Sequence, residues 1–401
     1  MKINRNFFLK TSIFLILLRS PIILLTMVGY LLVNNKIIVF FLSRMLPFLI
    51  SILIFVIYSL HLGNNQAEIF GQVRDIILAL TVAFLLISSV KANGSNFVCY
   101  NTIKICFIMV AVGKICLLFY SILTGIGLNT LIKQITEVWG IQMMTLSTEG
   151  SSVGRIQIPI DSVVPYFLYF YTKEVFERSK SKLDLLYFLL LCFSMLLTFS
   201  RIMWAQTLLF VLMSICIELR LRTKIRFFAI TSIVAFFIII FTPFGDTILS
   251  IVNSRLGSDN NINQASDIQR TIQNNGLWLE ISKKPLFGHG IGYYIPTLIR
   301  SSEVKYLYES QGLSMIMTLG YIGVLLFLIL ISTYVILLNN KKIIPWGCFF
   351  FISFWIFCGC YNPYLFGASG GLILYLTSEF YRIKNMLTNE SESKKEVIHD
   401  I

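Results

Sequence analysis

Charge is scarce in this sequence. Only 13% of its 401 residues are charged, against 56% hydrophobic, where a soluble domain is about a quarter charged. That deficit excludes an ordinary water-solvated globular surface for a chain of this size. Histidine is scarcer still, with His61, His289 and His399 scattered along the chain. There is no HExxH, no zinc-ligand cluster and no GxxxxGK followed by Ser or Thr. Neither a catalytic metal nor a nucleotide loop is therefore expected, and no cofactor is implied. All eight cysteines lie in apolar stretches and none in the longest polar segment. A disulfide framework is not expected there, and a buried free thiol packs as a small hydrophobe. Cys358 and Cys360 have the wrong spacing for a redox pair. Internal repeats and low-complexity segments are also lacking.

Apolar residues, by contrast, come in long blocks, many near the roughly 20 residues that span a bilayer. Spans are predicted near 6–19, 21–35, 37–60, 72–90, 98–124, 158–172, 184–200, 202–219, 226–244, 312–338, 345–360 and 362–380. The fold class expected is all-α, a polytopic transmembrane helical bundle. The N-terminal MKINRNFFLKTS is basic and then apolar, like a signal peptide, but no small-residue cleavage site follows. It reads as the first membrane helix.

The net charge of +13 resides largely in short loops. It is read as a positive-inside bias rather than as a nucleic-acid surface. Lys173, Arg178, Lys180 and Lys182 form one basic cluster, and Arg220, Arg222, Lys224 and Arg226 another. Both are placed in the cytoplasm, with Lys341, Lys342 and the tail. The hairpin between them then turns outside at Ser200-Arg201. The same parity puts 125–157 and 245–311 outside. A cytoplasmic N-terminus requires the block 6–35 to be split at Arg19-Ser20-Pro21, giving about twelve spans. An external N-terminus with eleven is the alternative.

The domains expected are helices one to nine over 1–244, a large outer loop over 245–311 containing short helices, helices ten to twelve over 312–382, and a disordered tail over 383–401. In the outer loop, Ile268, Ile272, Leu277 and Ile281 suggest an amphipathic surface helix over 268–281, ended by Lys284-Pro285.

Few residues are candidates for chemistry. Arg201, in LLTFSRIMWAQTL, is either a snorkelling loop arginine or an anion ligand at a hairpin tip. Ser200 is expected to cap the helix that follows, whose N-terminal dipole favours anions. Arg270, in SDIQRTIQNNGLW, is either a solvated helix charge or a ligand contact. Glu309, in YLYESQGL, is either an ordinary interfacial charge or a partly desolvated general base. Arg155 and Arg255 are weaker candidates of the Arg270 kind. PLFGHGIG reads as a glycine turn, and its His289 as a structural residue before a catalytic one.

The Ser200-Arg201 turn, the Arg270 segment running into PLFGHGIG, the long outer loop and the polar residue opening the next span together resemble the O-antigen ligase and polymerase superfamily. The motif-bearing part runs from Arg155 to Gly323. The resemblance implies a GT-C-like, metal-independent membrane glycosyltransferase of the bacterial inner membrane with both termini cytoplasmic. Its donor would be an oligosaccharide on undecaprenyl diphosphate, and a chain-length regulator is a possible partner. Arginines matching Arg201 and Arg270 hold the diphosphate in that family, with Arg155 and Arg255 as further candidates. The ligase branch has a histidine where this chain has Glu309. A glutamate there resembles the polymerase branch and implies a catalytic role for Glu309. An O-antigen ligase and a lipid-linked oligosaccharide flippase are the alternatives.

Overall fold

A computed structural model describes residues 5–18, 23–139, 154–178, 181–225, 227–228, 261–299, 304–339 and 344–388. Among these the regular elements are helices. They are α1 (Arg5–Leu18), α2 (Ile23–Val33), α3 (Asn35–His61), α4 (Gln66–Asn93), α5 (Asn96–Thr124), α6 (Leu128–Trp139), α7 (Val164–Lys173), α8 (Lys182–Leu196), α9 (Arg201–Glu218), α10 (Asn261–Lys283), α11 (Gln311–Ile331), α12 (Trp346–Gly359) and α13 (Gly367–Ser378). Five stretches are long and apolar enough to cross a membrane: Asn35–His61, Gln66–Asn93, Asn96–Thr124, Arg201–Glu218 and Gln311–Leu337. Phe7–Ile16 and Trp346–Gly359 are shorter apolar helices. The block 6–35 does hold two helices. The span expected at 226–244 lies mostly outside the described residues.

The chain divides into two compact units, residues 1–106 with 270–383, and 107–269 with 384–401. In the first unit α4 is central. Asn65 caps its start by accepting from the Ala67 N–H at 2.9 Å, and Gly94 closes its end in the left-handed conformation. From Ile76 to Val90 it is buried almost throughout. The helix α13 lies close against it because its small-residue run brings Gly371 onto Ala79 and Val82. Helix α3 packs on the same core through Phe48, whose ring lies 5.4 Å from that of Phe84. Its other face exposes Leu46, Ile50, Leu53 and Ile57. So much exposed aliphatic surface is a liability in water and ordinary in lipid.

In the second unit α7 and α9 pack closely. Tyr166 meets Phe210 at 4.5 Å between centroids, and Ser214 donates to the Tyr169 carbonyl at 2.6 Å. The helix α6 was not expected from the sequence. Its Leu128, Leu131 and Ile132 are buried on one face, a spacing of three and four residues that marks an amphipathic helix.

One helix is broken. In α11, Gly320 has φ 68° and ψ 177°, so its backbone leaves the helix and returns. The loop after α10 fills the gap. His289 and Gly290 N–H groups donate to the Met317 and Thr318 carbonyls at 2.8 Å each, and Tyr321 and Ile322 N–H groups donate to Pro285 and Leu286 at 2.9 and 3.1 Å. Four backbone groups freed by the break are thereby satisfied, as an apolar surrounding demands. PLFGHGIG is thus a clasp on α11.

Candidate functional site

In the first unit the clasp and a small core fix where α10 meets the start of α11. Leu277 and Ile281 of α10 pack with Ile295, Tyr308 and Met317. The Tyr308 hydroxyl accepts from the Ile295 N–H at 2.6 Å. Burial pushes the Tyr308 phenol up to about 12, so it stays protonated. Glu309 follows directly. Its backbone N–H donates to the Gln273 side chain at 2.9 Å, and its carboxylate accepts from the Arg270 Nε. The Glu309 side chain keeps 16% exposure and that of Arg270 35%, so the pair is held yet reachable. Lys305 N–H donates to Glu68 at 3.2 Å and Tyr306 hydroxyl to Asp75 at 2.9 Å, which ties the segment before Glu309 to the start of α4.

The helix α10 runs two turns further towards its N-terminus than the 268–281 expected. Only Leu277 and Ile281 of the predicted stripe are buried, and Ile268 and Ile272 are exposed. His289 sits inside the clasp. Its ring stacks on Tyr293 at 4.3 Å and its Nε2 lies 2.9 Å from the Glu280 carbonyl. Glu280 also accepts from the Tyr293 hydroxyl at 3.1 Å and from Lys283. Partial burial opposes its charge, but those hydrogen bonds and the neighbouring cations outweigh it and hold the Glu280 carboxyl below the ordinary range.

In the second unit Arg201 is the first residue of α9, following Phe199 in the left-handed region (φ 44°). Its Nη2 donates to the Asp267 carboxylate at 2.9 and 3.2 Å, in a pair that is about half exposed. Ser200 occupies the cap position, but its side chain makes no capping hydrogen bond, so the cap expected from the sequence is not formed. Its carbonyl does accept from the Trp204 N–H at 3.0 Å. Arg155 is held by the Gln157 side chain. The Ile156 N–H donates to the Leu197 carbonyl at 2.9 Å, which sets the Arg155 segment against the end of α8. Arg255 lies outside the described residues. Arg201 and Arg155 are thus brought to the ends of one hairpin turn, and Arg270 and Glu309 are brought together in the other unit.

Lys114 and Asp161 were not singled out in the sequence. They form a fully buried pair at 2.5 Å, and Asp161 also accepts from the Ile158 N–H at 2.8 Å. A lysine within the apolar α5, which also carries Lys104, was the available signal. Its partner, 47 residues on, was not marked. No group of His, Cys, Asp and Glu able to hold a metal occurs among the described residues. No disulfide links the described cysteines, and Cys116, Cys216 and Cys360 are exposed rather than buried.

Residues 186–328 match the family model described as O-antigen ligase. The match bears out the resemblance to the O-antigen ligase and polymerase superfamily. It includes Arg201, Arg270 and Glu309 and stops short of Arg155. No curated protein and no solved structure matches the chain.

Proposed function

From an O-antigen ligase domain in a helical membrane chain, we propose that this protein is a surface-polysaccharide polymerase. It joins undecaprenyl-diphosphate-linked repeat units on the outer face of the inner membrane. The observation that carries the reading is the Arg270–Glu309 pair at the opening of α11. A ligase-like histidine is replaced there by a carboxylate already held by the kind of cation a diphosphate needs.

The chemistry follows from the two groups. A hydroxyl of the acceptor sugar attacks the donor's anomeric carbon, and the bond from that carbon to the diphosphate oxygen breaks. Glu309 takes the hydroxyl proton, a role that contributes about 10²–10⁴-fold. The leaving diphosphate departs as an anion and needs its charge offset rather than a proton. Guanidinium supplies that offset because it is always charged and binds phosphate oxygens in a fork. Arg270 would exchange Glu309 for the arriving diphosphate, releasing the carboxylate to act as base as the substrate binds. Arg201, Arg155 and Arg255 are proposed as further phosphate ligands, with Asp267 as the group Arg201 leaves. No metal is required in this account.

Both termini are assigned to the cytoplasm and the 245–311 loop to the periplasm, and a chain-length regulator is proposed as a partner. The family description itself favours a second reading, a ligase that transfers finished chains. The test is complementation of a polymerase-deficient strain with Glu309→Gln and Arg270→Ala. Each is expected to abolish the long-chain ladder on a lipopolysaccharide gel, while a normal ladder from either removes the site assignment.

A further inference from the structure

The chemistry proposed above uses neither Lys114 nor Asp161. Lys114 lies ten residues inward from Thr124, where the apolar helix α5 ends, about 15 Å at 1.5 Å per residue. Its side chain is 2% exposed and that of Asp161 1%, with Nζ and Oδ1 2.5 Å apart. Ionisable groups at such depth face the protein interior, pair with one another and mark working parts of membrane proteins. Stability alone does not account for the pair, because replacing a buried ion pair with well-packed apolar residues is often neutral or stabilising.

What the pair holds in place is a short irregular stretch. Asp161 sits in the 3-10 turn Pro159–Val163, which follows non-helical backbone from residue 154 to 158. Irregular backbone at membrane depth is tolerated only where protein or a water-filled cavity surrounds it. Asp161 fixes the turn with one oxygen, which accepts from the Ile158 N–H at 2.8 Å, and ties it to α5 with the other, which accepts from Lys114. The stretch so anchored carries Arg155. Ile156 packs among Leu118, Leu128, Ile132 and Leu197, and its N–H bonds the Leu197 carbonyl four residues before Arg201. The fully buried Gln157 accepts from the Arg155 guanidinium. That guanidinium is close enough to act electrostatically on the Asp161 carboxylate.

We propose that Lys114 and Asp161 are positioning residues: the buried pair ties the 155–161 segment to α5 and so aims Arg155 at the diphosphate of the lipid-linked donor. This role rests on the reading of Arg155 as a phosphate ligand. A guanidinium grips phosphate oxygens in a geometrically exacting fork, so the height and angle of its segment set how well it binds.

The test is a thermodynamic cycle on the full chain in detergent, with binding of undecaprenyl diphosphate measured by microscale thermophoresis. One arm is Arg155→Ala. The other is Lys114→Met with Asp161→Asn, which cuts the tie to α5, leaves no charge buried and keeps a side-chain oxygen for the Ile158 N–H. Its thermal midpoint is expected to stay near that of the wild type. Each arm is expected to weaken binding about tenfold or more, the scale of one hydrogen bond to a charged group. The two combined are expected to lose no more than either alone, because both act through Arg155. Amide exchange at Ile156 is expected to quicken in the neutral-pair variant and not in Arg155→Ala. Lys114→Arg retains the ion pair and is expected to keep wild-type affinity. Additive losses, the signature of general loosening, overturn the proposal. So does unchanged exchange at Ile156, or a Lys114→Arg affinity as low as that of the neutral pair. Wild-type binding by the neutral-pair variant beside a weakened Arg155→Ala overturns the positioning role alone. Wild-type binding by Arg155→Ala removes Arg155 from the diphosphate site and overturns the proposal together with that part of the functional reading.

Discussion

Arg270 and Glu309 are 39 residues apart in sequence, and both were visible there because charge is rare in this chain. Their pairing was not visible, because it depends on how the clasp and the Leu277–Met317 core set α10 against the start of α11. The same holds for Arg201, whose partner Asp267 was not singled out in the sequence. Lys114 and Asp161 make a sharper case. Their pair is shut off from solvent, so Lys114→Met should leave a buried carboxylate unpaired and cost about 3–5 kcal/mol. A thermal midpoint in detergent unchanged from wild type would contradict that. Glu280 gives a pH-dependent prediction. Its carboxyl is held below its unfolded value, so its contribution is present above that value and is lost as pH falls through the folded one. Glu280→Gln should therefore destabilise the protein at neutral pH and make little difference in acid. A stability gap that persists in acid would show that Glu280 acts by packing rather than by charge.

At the scale of elements, the apolar blocks were legible because a helix that crosses lipid must satisfy its own backbone and present apolar side chains. The expected 184–200 and 202–219 correspond to α8 and α9, and 98–124 to α5. Two features escaped. The spacing of Leu128, Leu131 and Ile132 announces α6, but a search for membrane spans passes over so short an amphipathic helix. The break in α11 was not legible, since a glycine at position 320 is compatible with an unbroken helix. It is the docking of the 285–290 loop that makes the broken form stable. Gly288 (φ 68°) shows how tight this is: a Cβ there would lie 2.5 Å from the Thr318 carbonyl oxygen, and one on Gly320 would collide with the Leu286 carbonyl. Gly288→Ala and Gly320→Ala should each lower stability by about 2–4 kcal/mol, the sum of left-handed strain and clash. They should also disturb Glu309, which opens the same helix. Wild-type melting in both variants would mean that the clasp is dispensable.

For the whole molecule, the helical membrane character was readable from composition alone, and the division into two units was not. Each unit gathers segments distant in sequence, and nothing in local periodicity marks such a grouping. The orientation rests on the basic loops and has its own test. In a cysteine-free background, a thiol introduced at Ser282 should react with a membrane-impermeant maleimide in intact spheroplasts. One at Ser391 should react only after permeabilisation. The reverse pattern would invert the assigned topology and move Arg270 and Glu309 to the cytoplasmic face.

The most direct measurement of the central claim is the glycan displayed by a strain whose only copy of this gene carries Glu309→Gln. The polymerase account predicts a lipid core capped with a single repeat unit and no ladder above it, because transfer to the core continues while chain extension stops. A core with no attached repeat would identify the protein as the ligase, and a full ladder would show that Glu309 is not the catalytic base.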